Sequence, residues 1–298
     1  MQRSNRDAEQ LFRGALMNSG KASIAEPMTM LLSDMMILPE IGIAVQAALD
    51  AGQSILKSYG QDIQPEYKSD NTPLTIADRS SHELILRKLE ETGLPILSEE
   101  GIPVPYAERK AWPAFWMVDP LDGTREFLAR NGEFTVNIAL ISAGQPVLGV
   151  IYAPAKGQLY FASTKAGAFY VDAPNDTIHS TEQLMESARR MPFPGTHDSF
   201  RIVASRSHMD EKTLSYLERL RENNPDLDVL RCGSSLKFCM VASGEVNSYP
   251  RFSPTMEWDT AAGHAILNAA GRTLIDIVNG RELLYNKEDL HNPGFIAQ

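Results

Sequence analysis

At 298 residues, 43% hydrophobic and 22% charged, the chain has the make-up of a folded globular protein, long enough for one large domain or two linked halves. Its formal net charge of −10 argues against a nucleic-acid polymer as partner, because such binding runs on clustered Lys and Arg. A small anionic substrate stays open, since a bound divalent cation reverses the local field. Cys232 and Cys239 make no disulfide framework and match no zinc spacing, so two reduced, buried thiols are expected. No apolar run is long enough to span a bilayer, and the Arg3, Arg6, Asp7, Glu9 beginning is unlike a secretory signal. The expected setting is the cytoplasm, without a transmembrane segment; a peripheral contact with the inner face of the membrane is left open.

Residues 1–36 read as an N-terminal extension. Gly14 to Gly20-Lys21 imitates a phosphate-binding P-loop, but the gap is one residue too long and Ala22 replaces the required Ser or Thr. From Leu38 the apolar residues Ile41, Val45, Ala48 and Ile55 recur at helical spacing, predicting a helix over 38–59. A polar linker over 60–67 follows. Thr75 or Asp78 is placed to cap the next helix, which carries Leu84, Ile85 and Leu89 and stops at Gly93-Leu94-Pro95. Residues 95–97 are a short strand delivering Ser98-Glu99-Glu100. Residues 115–118 are a second, expected to end at Asp119-Pro120 because proline has no N–H for a ladder.

Strand-like runs at 134–142, 147–152, 158–162 and 168–171, joined by short turns, predict an antiparallel meander. A looser segment over 172–199 marks a boundary between an N-terminal half, 37–198, and a C-terminal half, 199–298. The second half reads as strand 201–204, helix 211–223, strand 228–230, a Gly233-Ser234-Ser235 loop and helix to 242, strand 248–252, a helix opening at Glu257-Trp258-Asp259, and strands 273–277 and 294–297. The mixture is an α/β layered fold (mixed α+β) with alternating helix and sheet layers in two halves.

The chemistry concentrates in Asp119-Pro120-Leu121-Asp122-Gly123-Thr124. Asp119, Asp122 and the Leu121 carbonyl are hard oxygen donors of the kind Mg²⁺ takes while sharing its other positions with water and phosphate. Gly123 lets backbone approach a ligand, and Thr124 reads as the first residue of a short helix whose free N–H groups suit phosphate. The six histidines show no metal-ligand spacing, and His264 is expected to be a packed residue. No Gly-x-Ser-x-Gly elbow occurs, which removes the common serine hydrolases.

That string resembles the Asp-Pro-Ile/Leu-Asp-Gly-Thr signature of the inositol monophosphatase superfamily of metal-dependent, lithium-sensitive phosphomonoesterases. Lys68 and Asp78, Ser98-Glu99-Glu100, the central string and Trp258-Asp259 fall in the family's order, and the resemblance runs from Leu38 to the end. It implies the inositol monophosphatase/fructose-bisphosphatase-like fold. It also implies one Mg²⁺ on Glu99, Asp119 and the Leu121 carbonyl, a second on Asp119, Asp122 and Asp259, and in some members a third near Glu99. Asp259 would also approach the leaving group, while its bland role is a helix N-cap. Four converging carboxylates repel one another, which is the physical reason to expect metal. The implied reaction is in-line attack of an activated water on a phosphomonoester. Thr124, paired with Asp78, deprotonates the water, Glu99 helps hold it, and the N–H groups of Gly123 and Thr124 hold phosphate. Lys68 either supplies positive charge near the first metal or is a solvated lysine.

The stretches around Gly233-Ser234-Ser235-Leu236-Lys237, Tyr249-Pro250-Arg251-Phe252 and Trp258-Asp259 are closer to the CysQ-type 3′(2′),5′-bisphosphate nucleotidase branch than to inositol monophosphatases. The implied substrate is adenosine 3′,5′-bisphosphate, converted to AMP and phosphate in sulfur assimilation. Ser234, Ser235, Lys237 and Arg251 are the donors proposed for its second phosphate, local capping and surface charge being the bland alternative. The rivals are an inositol-1-phosphate or fructose-1,6-bisphosphate phosphatase on the same scaffold and a non-catalytic metal- or phosphate-binding protein. Oligomeric state is not legible.

Overall fold

Strands buried on both faces set the architecture. The computed structural model describes residues 39–62, 64–68, 73–172, 174, 181–195, 199–207 and 209–298. The expected N-terminal extension and its P-loop imitation lie outside the described residues. In chain order the elements are α1 (Pro39–Ser58), β1 (Glu66–Tyr67), β2 (Pro73–Leu74), α2 (Ile76–Leu89), β3 (Ile96–Ser98), α3 (Tyr106–Arg109), β4 (Ala114–Asp122) and α4 (Thr124–Leu128). The meander follows as β5 (Thr135–Ser142), β6 (Gln145–Ala153), β7 (Gln158–Ser163) and β8 (Gly167–Asp172), then α5 (Thr181–Ser187) and β9 (Arg189–Met191). The chain continues with β10 (Arg201–Ser205), α6 (Glu211–Asn223), β11 (Asp228–Cys232), α7 (Leu236–Ser243), β12 (Tyr249–Arg251), β13 (Thr255–Met256) and α8 (Glu257–Ala269). It closes with β14 (Leu274–Asp276), β15 (His291–Asn292) and β16 (Phe295–Ala297).

β3 to β9 form a seven-stranded sheet in sequence order. β3 runs parallel to β4, and every later pair is antiparallel, as the meander predicted. Side chains alternate across it with period two. Trp116, Val118, Val136, Ile138, Val150 and Tyr152 face one core together with Ile41, Val45, Leu49 and Ile85 of α1 and α2. Phe115, Met117, Ala139, Ile141 and Ile151 face a second core with Phe238 and Val241 of α7, Ala262 and Ile266 of α8, and Tyr249 and Phe295 of the small sheet. The layers are therefore helix pair, large sheet, helix pair and the three-stranded sheet β12-β16-β14. β10 and β11 pair in parallel beside them. This is the layered α/β arrangement expected. Residues Leu38–Gln298 make one compact unit, and a division near residues 198–199 is proposed only as the place where the large sheet gives way to the smaller ones.

Two local expectations need correction. β4 does not stop at Asp119-Pro120 but runs on to Asp122. Its register against β5 shifts between Asp119, opposite Asn137, and Asp122, opposite Thr135, and the proline sits in that irregularity, where a missing N–H breaks no ladder bond. The segment 172–199 is also less loose than expected. It contains α5 and the edge strand β9, whose Arg189 to Met191 pair with Tyr170 to Ala168. A three-residue, mostly exposed strand gives too short an alternation to be legible.

Candidate active site

The site forms where the C-terminal end of β4 meets the N-terminal turns of α4 and α8. β3 lies parallel to β4, so Ser98 pairs with Val118 and the next residue, Glu99, arrives beside Asp119. α8 starts at Glu257, and Asp259 is its third residue rather than its N-cap. Its Oδ2 accepts from the Met256 N–H at 2.8 Å, the reciprocal half of a capping box, with the helix's positive end favouring its charge. Glu257, fully buried, locks that turn by accepting from the Asn286 N–H at 2.6 Å and the Lys287 ammonium at 2.6 Å.

Carboxylate oxygens of Glu99, Asp119 and Asp259 lie within 4.8 Å of one another. Asp122 joins them on the wall of a cavity of about 400 Å³ that also exposes Leu121, Gly123, Thr124, Lys237 and Arg251. At such separations two unit charges repel by about 3 kcal/mol at an effective dielectric of about 20. Burial pushes the Asp119 carboxyl well above the ordinary carboxylate range, and Glu99, Asp122 and Asp259 push it further. Burial, then Asp122 and Glu99, does the same to Asp259. Glu99 is raised by burial, with the Lys68 ammonium opposing. Hard oxygen donors whose shared charge is costly without a cation fit a divalent metal such as Mg²⁺.

Gly123 adopts φ 88°, and a Cβ there would come within 3.3 Å of both the Glu133 carbonyl and the Ser234 Cβ. Only glycine makes that turn without strain. It starts α4, where the Thr124 hydroxyl donates to Asp78 Oδ1 at 3.2 Å and lies 3.5 Å from the Leu121 carbonyl. Asp78 also serves as a capping residue. Its Oδ2 accepts from the Thr75 N–H at 2.7 Å and the Thr75 hydroxyl at 2.6 Å, while Thr75 is the N-cap of α2. Burial raises the Asp78 carboxyl above its usual value, against the hydrogen bonds from Thr75 and Thr124.

Lys68 is not a solvated lysine. Its ammonium bridges Glu99 at 2.8 Å and Glu100 at 2.5 Å. Lys237 is buried, donates to the Ser234 carbonyl and lies 5.3 Å over the Tyr249 ring. Arg251 is buried at the cavity wall, its Nε donating to the Ser253 carbonyl at 3.3 Å. Ser234 and Ser235 turn their hydroxyls to Asp122 Oδ2, at 2.7 and 2.6 Å, rather than into open space. His264 is packed, its Nδ1 3.0 Å from the Tyr285 hydroxyl, and both cysteines are buried and free. Sequence reasoning missed Thr135 and Asn137, which stand behind Asp122. The signal was there: Thr135 and Asn137, two residues apart and so on one face, put polar side chains at the start of a strand that is apolar from Ile138 to Ile141 and buried on both faces at that end.

A layered α/β fold that brings carboxylates from two strand ends and one helix start into a single cavity wall has the hard oxygen donors that could hold a divalent cation. The sequence profile of the inositol monophosphatase family matches residues 38–297, and the chain belongs to that family. The 3′(2′),5′-bisphosphate nucleotidase CysQ of Salmonella typhimurium is 46% identical over 188 residues, 63% of this chain and 69% of the relative. The crystal structure of CysQ from Bacteroides thetaiotaomicron, described as a bacterial member of the family, superimposes with a TM-score of 0.79 at 48% identity over 86% of this chain and 95% of that one. The Thermotoga maritima IMPase shares the fold, with a TM-score of 0.67 at 21% identity over 88% of this chain and 92% of that one. The family and branch expected from the motifs stand. Among the described residues no helix is long and apolar enough to cross a membrane.

Proposed function

We propose that the chain is a Mg²⁺-dependent phosphomonoesterase that removes the 3′-phosphate of adenosine 3′,5′-bisphosphate, giving AMP and phosphate. The observation that carries this is the convergence of Glu99, Asp119, Asp122 and Asp259 on one cavity beside the Thr124–Asp78 pair. The resemblance to the CysQ nucleotidases supports the choice of substrate. Glu99, Asp119 and the Leu121 carbonyl would hold one Mg²⁺ and Asp119, Asp122 and Asp259 a second, with room for a third near Glu99. Bound there, Mg²⁺ supplies water acidified toward neutral pH and charge compensation at the leaving oxygen.

The chain's own groups do the rest. Thr124 Oγ1 takes a proton from the attacking water as its own proton passes to Asp78 Oδ1, so the threonine ends neutral and Asp78, made more basic by burial, ends protonated. The N–H groups of Gly123 and Thr124, at the start of α4, hold the phosphate oxygens. Lys237 and Arg251 take the second phosphate, as the two buried cations on the cavity wall. Ser234 and Ser235 contribute to substrate only through their place on the same wall, since their hydroxyls serve Asp122. The role is clearance of a bisphosphate nucleotide in sulfur assimilation, in a cytoplasmic setting that the two free thiols suit.

The test is phosphate release from adenosine 3′,5′-bisphosphate, inositol 1-phosphate and fructose 1,6-bisphosphate with Mg²⁺, then with added Li⁺. Preference for the nucleotide and inhibition by Li⁺ are expected. Preference for the inositol or sugar ester overturns the substrate and keeps the mechanism. No release from any of them favours a non-catalytic binding protein.

A further inference from the structure

Asp122 Oδ2 is held by three side chains, none of them charged. Ser234 and Ser235 reach Oδ2 at 2.7 and 2.6 Å, and Asn137 Nδ2 lies 3.4 Å from the same atom. The two serines have other acceptors to choose from. Ser234 also lies 2.6 Å from the Thr135 hydroxyl, and Ser235 lies 2.9 Å from the Asp259 carbonyl. Thr135, Ser234 and Ser235 have one hydroxyl proton each, fewer than the contacts they make, so something must decide where the protons point.

Asn137 is the group able to do so. It is 1% exposed, on the face of β5 turned toward α8, directly opposite Asp119 in the ladder. Its Oδ1 accepts from the Thr135 hydroxyl at 2.9 Å, which fixes the amide orientation. Its Nδ2 then donates to Ser235 Oγ at 2.9 Å, which frees that hydroxyl's only proton for the shorter, charge-assisted contact with Asp122 Oδ2 at 2.6 Å over the Asp259 carbonyl at 2.9 Å. We propose that Asn137, oriented by Thr135, is a positioning residue: through Ser235 it clamps Asp122 Oδ2 and leaves Oδ1 as the single oxygen offered to the metal. The clamp neutralises part of the Asp122 charge before a cation arrives, and it sets the carboxylate's rotation without entering the cavity. Neither Asn137 nor Thr135 lines the cavity wall, so their influence on a ligand has to pass through Asp122 and the serines. The inference rests on the reading of Asp122 as a metal ligand.

The experiment is calorimetric titration of the metal-free protein with Mg²⁺ alone, beside its thermal melt in EDTA. Asn137→Leu preserves shape and removes all three amide contacts, to Thr135, Ser235 and Asp122. Thr135→Val removes only the hydroxyl that orients the amide. About a tenfold weakening of Mg²⁺ binding is expected for Asn137→Leu, and a weakening of a few-fold for Thr135→Val, with KM for the phosphoester little changed. Should Asn137→Leu fail to fold, Thr135→Val decides. Wild-type Mg²⁺ affinity in the folded variants overturns the positioning role, whatever happens to their melting temperatures. Asp122→Asn is the comparator. If it binds Mg²⁺ as wild type does, the metal reading itself falls. If it loses binding while Asn137→Leu keeps it, only the clamp falls.

Discussion

The Thr124 hydroxyl and the Asp78 carboxylate come from elements 46 residues apart and meet at 3.2 Å, with the Asp78 side chain already held by the first turn of α2. Asp78 therefore has two jobs that a substitution can separate. Asp78→Asn can keep its one oxygen as the acceptor for Thr75, but it turns an NH2 toward Thr124 and removes the charge that takes the proton. Turnover is expected to fall by about a hundredfold or more. The melting temperature should fall by only a few degrees. Loss of fold alongside activity, seen by circular dichroism, would show that the cap and not the chemistry was disturbed.

Asp122→Asn should abolish turnover and leave the fold intact, because the serines that hold Oδ2 can still reach an amide oxygen there. The check is phosphate release beside a melt in EDTA. Near-normal activity refutes the assignment of Asp122 to the metal.

The raised carboxyls predict how stability without metal depends on pH. Asp119 and Asp259 hold their protons more tightly folded than unfolded, and Glu99 does so too. The folded chain then binds more protons than the unfolded one once pH passes the ordinary aspartate value of 3.8. Stability from these groups is complete below that value and is lost as pH rises through the raised values. In EDTA the protein should melt lower at pH 7.5 than at pH 5.5, and Mg²⁺ should reverse the loss at pH 7.5. Equal melts at both pH values in EDTA would contradict the charge repulsion described here.

Lys237→Met and Arg251→Leu test the second-phosphate contacts. Each is expected to raise KM for adenosine 3′,5′-bisphosphate about tenfold, with a much smaller effect on adenosine 3′-monophosphate, which lacks the group they hold. An equal rise for both nucleotides would move these cations from specificity to general packing.

α8 carries Asp259 and lies flat on the sheet because Gly149 lets it. A Cβ at that position would sit 2.3 Å from the Ala262 carbonyl and 2.9 Å from the Ala265 Cβ. Gly149→Ala should therefore cost about 1–3 kcal/mol, a melting shift of several degrees, and also lower Mg²⁺ affinity by displacing Asp259. A melt within a degree of wild type would mean the helix has slack that the packing does not show.

Legible along the chain were the helices over α1, α2, α6 and α8, the four-strand meander, and the oxygen donors of the Asp119–Asp122 turn. Each rests on local physics: a repeat of 3.6 or 2 residues, a capping Thr, a Gly that alone tolerates the turn. Asp119 and Asp122 were legible because they share one turn at a strand end with the Leu121 carbonyl, whereas Glu99 and Asp259 were expected as ligands only through the family resemblance. The tertiary structure alone decided what the neighbours of those residues do. Ser234 and Ser235 looked free to bind phosphate, yet the loop before α7 folds back on β4 and β5 and turns both hydroxyls onto Asp122. β4 crosses Pro120 because its partner strand slips at that point. Asn137 matters only because β5 sets it opposite Asp119. A hydrogen bond between residues a hundred positions apart leaves no period in the chain; direction and partner are chosen when the layers pack.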